Sequence, residues 1–340
     1  MPRAFHAWLL AGGMVWGAGL FVPAQAANYS ALYAFGDSLS DAGNAYIATT
    51  ALGAPEPVSP PYSDGRFSNG PVWVQDLASQ LGLPALTPSF AGGTDFAVGG
   101  AQTGTTPVHT ANLSDLPGQL TAFQAAVRQP SSSALYTLWI GANDLFSILA
   151  SPGITPTTAE ADANAAVANV VNFVAGIAGD GAKNLLLVTV PNLGVVPAIT
   201  ALGPAAETFA TDLSAYFDQA LVTAIGGEAA STGMNLSVLD TFSLLDSAVA
   251  NPSAFGFTNV TAPCWTGSYT SASSGTLCSN TTAGQDQYLF WDQVHPTAAG
   301  QQIVADGAYA EVPEPGSLAL LLGGLGAFAL LRRRAGIGGA

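Results

Sequence analysis

The chain has 340 residues, 49% of them hydrophobic and only 9% charged, with 7 Lys and Arg against 22 Asp and Glu. Charged residues make up about 25% of an ordinary soluble protein, so the shortage is marked, while the hydrophobic share excludes a disordered chain. Residues 27–310 hold only Arg66, Arg128 and Lys183 against 20 acidic residues, a net charge of −17, which excludes nucleic acid and charge attraction to anionic lipid as partners.

Residues 1–26 read as a secretory signal. Arg3 supplies a basic start, an apolar stretch runs from Ala7 to Val22, and Ala24-Gln25-Ala26 is a small-x-small cleavage site. Gly12, Gly13, Gly17 and Gly19 speak against the alternative, a buried N-terminal helix. Short apolar runs closed by turn formers then predict strands over 29–35, 95–98, 135–140, 185–190 and 236–239, each of the kind buried on both faces. Between them the pattern predicts helices over 71–81, over 115–127 behind a Ser114 cap, and over 158–178 with Thr157 or Thr158 as cap. Helices over 205–230 and 296–310 complete the set. Alternating strands and helices imply a parallel sheet covered on both faces, in one domain spanning 27–310. The long loops 45–70 and 251–285 are candidates for insertions that face a substrate.

Export gives the two cysteines a meaning. Cys264 and Cys278, in a Ser/Thr/Gly-rich stretch, are expected to form a disulfide worth about 3 kcal/mol for a loop of this size, with two free buried thiols as the alternative. After residue 26 the only histidines are His109 and His295, and neither has ligand spacing with the cysteines, so no metal site is predicted.

The end of the chain, 311–340, has three parts in order. Val312-Pro313-Glu314-Pro315 is followed by an apolar run over 317–331 and then by Arg332-Arg333-Arg334. Fifteen helical residues span about 22 Å against a hydrocarbon core of about 30 Å, a short transmembrane helix whose arginines would stay on the cytoplasmic side. This order resembles the bacterial PEP-type C-terminal sorting signal. The resemblance implies a temporary inner-membrane anchor, processed by an exosortase-type enzyme in a Gram-negative bacterium that makes exopolysaccharide. A permanent anchor is the alternative, and either way the body is exported to the cell surface or beyond.

In an open α/β sheet, ligands bind at the carboxyl ends of the strands. Predicted strand ends here carry Gly36-Asp37-Ser38, Gly99-Gly100 and Gly141-Ala142-Asn143-Asp144, and Asp292-Gln293-Val294-His295-Pro296 precedes the last helix. A serine hydroxyl used as nucleophile needs a base, and the base an orienter. His295 has Asp292 three residues before it, whereas His109 sits in a loop without an orienter. Ser38 is expected to open a helix, where its own N–H and the helix dipole would face a developing oxyanion; a plain helix-capping serine fits the same placement. Gly100 and Asn143 add a backbone and an amide donor, although each taken singly is an ordinary turn residue.

Taken together, these segments resemble the GDSL (SGNH-type) esterases and lipases. Residues 36–44 look like the first block of that family, 96–101 the second, 141–144 the third, and Asp292-x-x-His295-Pro296 the last. The resemblance implies Ser38 as nucleophile and Asp292 and His295 as the other two triad members. It implies an oxyanion hole from Ser38, Gly100 and Asn143, no cofactor, and a three-layer α/β/α sandwich with a flavodoxin-like parallel sheet. Residues 65–71, Gly-Arg-Phe-Ser-Asn-Gly-Pro, are similar to the lipase-like branch and receive no catalytic role. No Gly-x-Ser-x-Gly occurs, so a strained nucleophile elbow is not expected. The expected activity is that of a secreted serine hydrolase cleaving carboxylic esters through an acyl-enzyme. The rivals are exopolysaccharide deacetylation or acyl transfer with the same residues, and a noncatalytic surface protein on the same scaffold.

Overall fold

The computed structural model describes residues 29–104 and 115–312. The expected secretory segment, Ser114, His109 and the apolar and arginine parts of the C-terminal tail lie outside the described residues. Four parallel strands, β1 (Leu32–Gly36), β2 (Leu135–Trp139), β3 (Asn184–Val188) and β4 (Asn235–Leu239), lie side by side in that order. Their registers run Leu32↔Leu135↔Asn184↔Asn235 at one end to Gly36↔Trp139↔Val188↔Leu239 at the other.

The expected strand over 95–98 is only partly formed. Phe96 and Val98 donate to Ala34 and Gly36 of β1 at 2.7 and 3.1 Å, yet the segment carries an isolated bridge with Ala34 rather than a ladder. The reason is local: the Asp95 carboxylate takes the Ala97 N–H at 3.0 Å, turning the backbone onto its own side chain. Counted as the second strand in chain order, this edge segment gives the order 2-1-3-4-5 of a flavodoxin-like sheet. A small separate sheet pairs β5 (Asn259–Pro263) with β6 (Tyr288–Phe290).

Strand side chains alternate between two apolar layers. On one side Phe35, Tyr136, Leu138, Leu185 and Leu187 meet α3 (Leu116–Ala126), α4 (Ala142–Leu149), α5 (Pro156–Gly179) and α7 (Pro204–Thr232). On the other, Leu32, Ala34, Leu135, Trp139, Leu186 and Val188 meet α2 (Trp73–Gln80) and α10 (Ala298–Glu311). The three-layer sandwich follows from this period-2 division of continuous apolar strands. The remaining helices are α1 (Asn44–Ala51), α6 (Pro197–Thr200), α8 (Thr241–Ala250) and α9 (Thr282–Gln285).

Helix starts shift by a few residues for identifiable reasons. Pro156 fits the first turn of α5, so Thr155, not Thr157 or Thr158, is the cap, exchanging hydrogen bonds with Thr158. The last helix starts at Ala298 behind the cap Thr297 and runs to Glu311. Ser38 does not open a helix: residues 38–40 form a turn and α1 begins only at Asn44. The helix-dipole contribution expected at Ser38 is therefore absent, and local hydrogen bonding fixes that turn instead.

Gly36 is where the sheet delivers the chain to this turn. Its φ is +146°, and a Cβ there would overlap the Trp139 carbonyl of the neighbouring strand. The Gln119 side chain brackets it, accepting from its N–H at 3.0 Å and donating to its carbonyl at 2.7 Å. Gly36→Ala is therefore expected to cost about 2–4 kcal/mol through strain and a broken strand contact. A clear fall in Tm checks this, and an unchanged Tm contradicts it.

Candidate active site

The turn after β1 is held by carboxylates rather than by regular structure. Asp37 accepts from Leu39 N–H at 3.0 Å, and its carbonyl takes the N–H groups of Ser40 and Asp41. Asp41 Oδ1 accepts from Gly43 and Asn44, while its Oδ2 accepts from Ala45 at 2.9 Å and from Gly99 at 2.7 Å. Asp95 accepts from Ala42 at 2.6 Å, and Asn44 Nδ2 donates to the carbonyls of Asp95 and Ala97. These bonds tie the Ser38 turn to the Gly99-Gly100 segment. Gly100 has a φ of +80°, a left-handed conformation suited to glycine.

At the other end of the chain, Asp292 turns back on its own loop. Its Oδ1 accepts from the N–H groups of Val294 at 2.9 Å and His295 at 2.8 Å. The Asp-x-x-His spacing is thus an Asx-type turn that brings carboxylate and imidazole together. His295 Nδ1 lies 2.8 Å from Asp292 Oδ2, and His295 Nε2 lies 2.8 Å from Ser38 Oγ. Three side chains up to 257 positions apart form one continuous hydrogen-bonded line, and all three are buried. Burial alone would raise the Asp292 pKa. The charge of His295, its hydrogen bond and that of Tyr62 outweigh burial and hold the carboxyl below its ordinary range. An ionised Asp292 requires the proton of the neutral imidazole on Nδ1, which leaves Nε2 free to accept the Ser38 hydroxyl proton.

Ser38, Gly100, Asn143 and His295 line one cleft of about 340 Å³. The N–H groups of Ser38 and Gly100 have no acceptor in the protein among the described residues. Asn143 projects from the first turn of α4, and its Nδ2 donates to the Ala101 carbonyl at 2.9 Å, leaving its second amide hydrogen available. Asp144 next to it accepts from Thr103 N–H and Oγ1, fixing the chain that follows Gly100. The expected loop over 45–70 begins as helix α1, which carries Thr49 to the cleft, while Glu56 and Phe67 reach it from the loop that follows and Tyr269 from the segment 251–285. Cys264 and Cys278 are disulfide-bonded, and the loop they close carries Tyr269, whose ring meets Phe67 edge-on at 5.9 Å. Among the described residues no cluster of three or more His, Cys, Asp or Glu is arranged to hold a metal ion.

Residues 65–71 prove to support the histidine. The Phe67 ring lies 5.1 Å from the imidazole, Ser68 Oγ donates to the Pro296 carbonyl, and Asn69 Oδ1 accepts from Ala298 at the start of α10. Their resemblance to a family segment was legible, whereas their part in seating His295 follows only from the fold. Tyr62, whose Oη donates to Asp292 Oδ2 at 2.6 Å across 230 residues, left no signal in the sequence. A second, smaller cavity of about 60 Å³ is walled by apolar side chains including Val196, Leu244 and Leu289. It shares Leu39, Pro191 and Val294 with the cleft.

Residues 32–308 match the family described as GDSL-like lipase/acylhydrolase, and residues 311–335 match the PEP-CTERM protein-sorting motif. An uncharacterized protein in the trpE-trpG intergenic region of Pseudomonas putida is 31% identical over 312 residues, 86% of this chain and 50% of that protein. The phosphatidylcholine-sterol acyltransferase of Aeromonas hydrophila is 28% identical over 317 residues, 82% of this chain and 89% of that protein. The esterase EstA of Pseudomonas aeruginosa is 28% identical over 333 residues, 86% of this chain and 48% of that protein. The chain thus spans about half the length of the two Pseudomonas relatives. An extracellular lipase from Streptomyces rimosus superposes with a TM-score of 0.44 at 16% identity, over 83% of this chain and 99% of that one.

The buried carboxylates of this region set a pH dependence. Burial raises Asp37 to about 7 against the pull of the Leu39 N–H, and it raises Asp41 and Asp144 to about 6. In the unfolded chain these groups titrate near 3.8–3.9. Between about pH 4 and 7 the folded state holds protons that the unfolded state has released, so stability falls as pH rises through that window. Tm is expected to be higher at about pH 5 than at about pH 8. Because buried groups are little screened, the difference should persist in about 0.5 M NaCl. A Tm that rises with pH across this range contradicts the reading.

Proposed function

Because this chain belongs to the GDSL-like lipase/acylhydrolase family, we propose that it is an exported hydrolase that cleaves carboxylic esters through an acyl-enzyme on Ser38. The observation that carries this reading is the line Ser38 Oγ–His295 Nε2 and His295 Nδ1–Asp292 Oδ2, 2.8 Å at each link, beside a cleft with free N–H donors. His295 takes the hydroxyl proton as Ser38 Oγ attacks the ester carbonyl, and Asp292 stabilises the imidazolium that forms. The carbonyl oxygen gains charge and is held by the N–H groups of Ser38 and Gly100 and by Asn143 Nδ2. Collapse of this intermediate breaks the bond to the alkoxy group, which leaves with the proton from His295. Water, deprotonated by His295, then adds to the acyl-enzyme and releases the carboxylic acid, returning the proton to Ser38.

The acyl chain is assigned to the apolar cavity that shares Leu39, Pro191 and Val294 with the cleft. The match to the PEP-CTERM sorting motif supports export and processing by an exosortase-type enzyme, with 27–310 as the working domain between two terminal segments. Acyl transfer is the second reading, favoured by the name of the Aeromonas relative; an acceptor alcohol would replace water in the second half-reaction. Removal of acetyl groups from an exopolysaccharide would use the same residues, with a sugar hydroxyl as the leaving group.

Short p-nitrophenyl esters test the central step. Ser38→Ala should lose at least about 1,000-fold in kcat/KM, and Asn143→Ala about 100-fold, with the far-ultraviolet circular dichroism spectrum unchanged. Wild-type activity in Ser38→Ala would sink the proposal. Leu244→Trp, which fills the apolar cavity, should lower turnover of butyrate relative to acetate; an unchanged ratio would remove the acyl chain from that cavity. Adding glycerol or a sterol during turnover and analysing the products separates hydrolysis from transfer.

A further inference from the structure

Asp292 is held by two kinds of hydrogen bond, and they do different things. Its Oδ1 accepts from the N–H groups of Val294 and His295, bonds within its own loop that would survive a movement of the whole loop. His295 Nδ1 lies 2.8 Å from Asp292 Oδ2 and 3.0 Å from Asp292 Oδ1, and Oδ2 also accepts from Tyr62 Oη at 2.6 Å. Tyr62 is the one partner of this carboxylate drawn from a distant part of the chain among the described residues. An ionised carboxylate has no proton to give, so the phenol can only donate to it. We propose that Tyr62 is a positioning residue for the catalytic line, its phenol holding Asp292 Oδ2 toward His295 and sharing the charge of that oxygen. This inference rests on the reading of Ser38, His295 and Asp292 given above.

The setting fits such a task. Tyr62 is 1% exposed, and its ring meets Trp291 at 6.0 Å and Phe67 at 6.4 Å, both edge to face. Tyr62, Trp291, Trp265 and Cys264 form a small apolar cluster of their own. The disulfide-closed loop joins it through Cys264 N–H to the Phe290 carbonyl and Trp265 N–H to the Trp291 carbonyl. Trp291 immediately precedes Asp292, so the ring that packs on the phenol and the carboxylate that accepts its hydrogen bond sit on adjacent residues. The charged and titratable groups facing this contact are Asp292 and His295 from the last loop, Tyr269 from the disulfide loop and Asp37 from the end of β1. Burial and the negative Asp292 both keep the phenol protonated.

Removing the hydroxyl has two separable effects. Asp292 Oδ2 loses a restraint, so fewer molecules hold the productive geometry. The oxygen also loses a donor that spread its charge, so both Asp292 and the imidazolium beside it bind protons more tightly. Tyr62→Phe should therefore lower the rate at which a fluorophosphonate probe modifies Ser38 by about tenfold and move the acidic limb of its pH profile upward. In an Asp292→Asn background the same change should alter the rate by less than about twofold, because the two residues act as one unit. The downfield proton of His295 Nδ1, readily assigned in a chain with 3 histidines, should shift in Tyr62→Phe. Replacing tyrosine throughout with the more acidic 3-fluorotyrosine should move the limb the opposite way, a measurement that does not depend on Tyr62→Phe folding. An unchanged labelling rate and Nδ1 proton in Tyr62→Phe, or an equal loss in the Asp292→Asn background, overturns the assignment. Labelling and the proton signal report on the His295–Asp292 pair whether or not any ester is turned over. A wild-type protein inert to esters would thus sink the hydrolase reading and leave this one to stand or fall separately.

Discussion

One buried carboxylate that no substrate need touch sets the geometry of this site. Asp41 takes four backbone N–H groups, those of Gly43, Asn44 and Ala45 at the start of α1 and that of Gly99. It thereby fixes two glycine-rich segments relative to each other, although neither is a helix or a full strand. Asp95 and Asn44 add a second set of stitches between the same segments. Burying these carboxylates is costly, as their raised pKa values record, and backbone donors offset much of that cost. The result is a hydrogen-bonded floor on which Ser38 and Gly100 present N–H groups from turns rather than from helix or strand.

Against this floor His295 and Asp292 come in from the far end of the chain. The Asx-type turn at Asp292 makes the carboxylate–imidazole pair a local object, complete within four residues. Its docking against Ser38 is a tertiary achievement. Ser68, Asn69 and Phe67 hold the loop from one side, and the Tyr62–Trp291 cluster with its disulfide supports it from another. The buried carboxylates of Asp37 and Asp292 thus differ in environment. Asp37 has one oxygen with no partner among the described residues and is pushed up, while Asp292 accepts from two backbone N–H groups, His295 and Tyr62 and is held down. Such divergence between neighbouring acids separates a structural carboxyl from one kept ionised beside a base.

Much of this was legible beforehand because the relevant signals are short and local. Residues 135–139 and 185–188 are largely apolar runs closed by turn formers, the pattern of strands buried on both faces, and they lie at the centre of the sheet. Asp292 and His295 are close enough in sequence for a single turn to join them. The segment over 95–98 misled because Asp95 binds its own backbone, which residue type alone does not reveal. Ser38 follows a strand, a placement that predicts a helix start, but Asp41 takes the N–H groups at the start of α1 and the helix begins only at Asn44. The contacts of Tyr62, Ser68 and Asn69 with Asp292, Pro296 and Ala298 leave no trace in the sequence because these partners lie more than 200 residues away, and nothing in a spacing pattern encodes such a contact.

The proposed ester hydrolysis requires that Ser38 become covalently acylated. Mixing the protein with p-nitrophenyl acetate, quenching in acid within the first turnover and mapping peptides by mass spectrometry tests it most directly. The expected result is an acetyl group on the peptide containing Ser38, formed at neutral pH and lost in His295→Ala. Release of p-nitrophenol with no adduct on Ser38, or an adduct on another side chain, would contradict it.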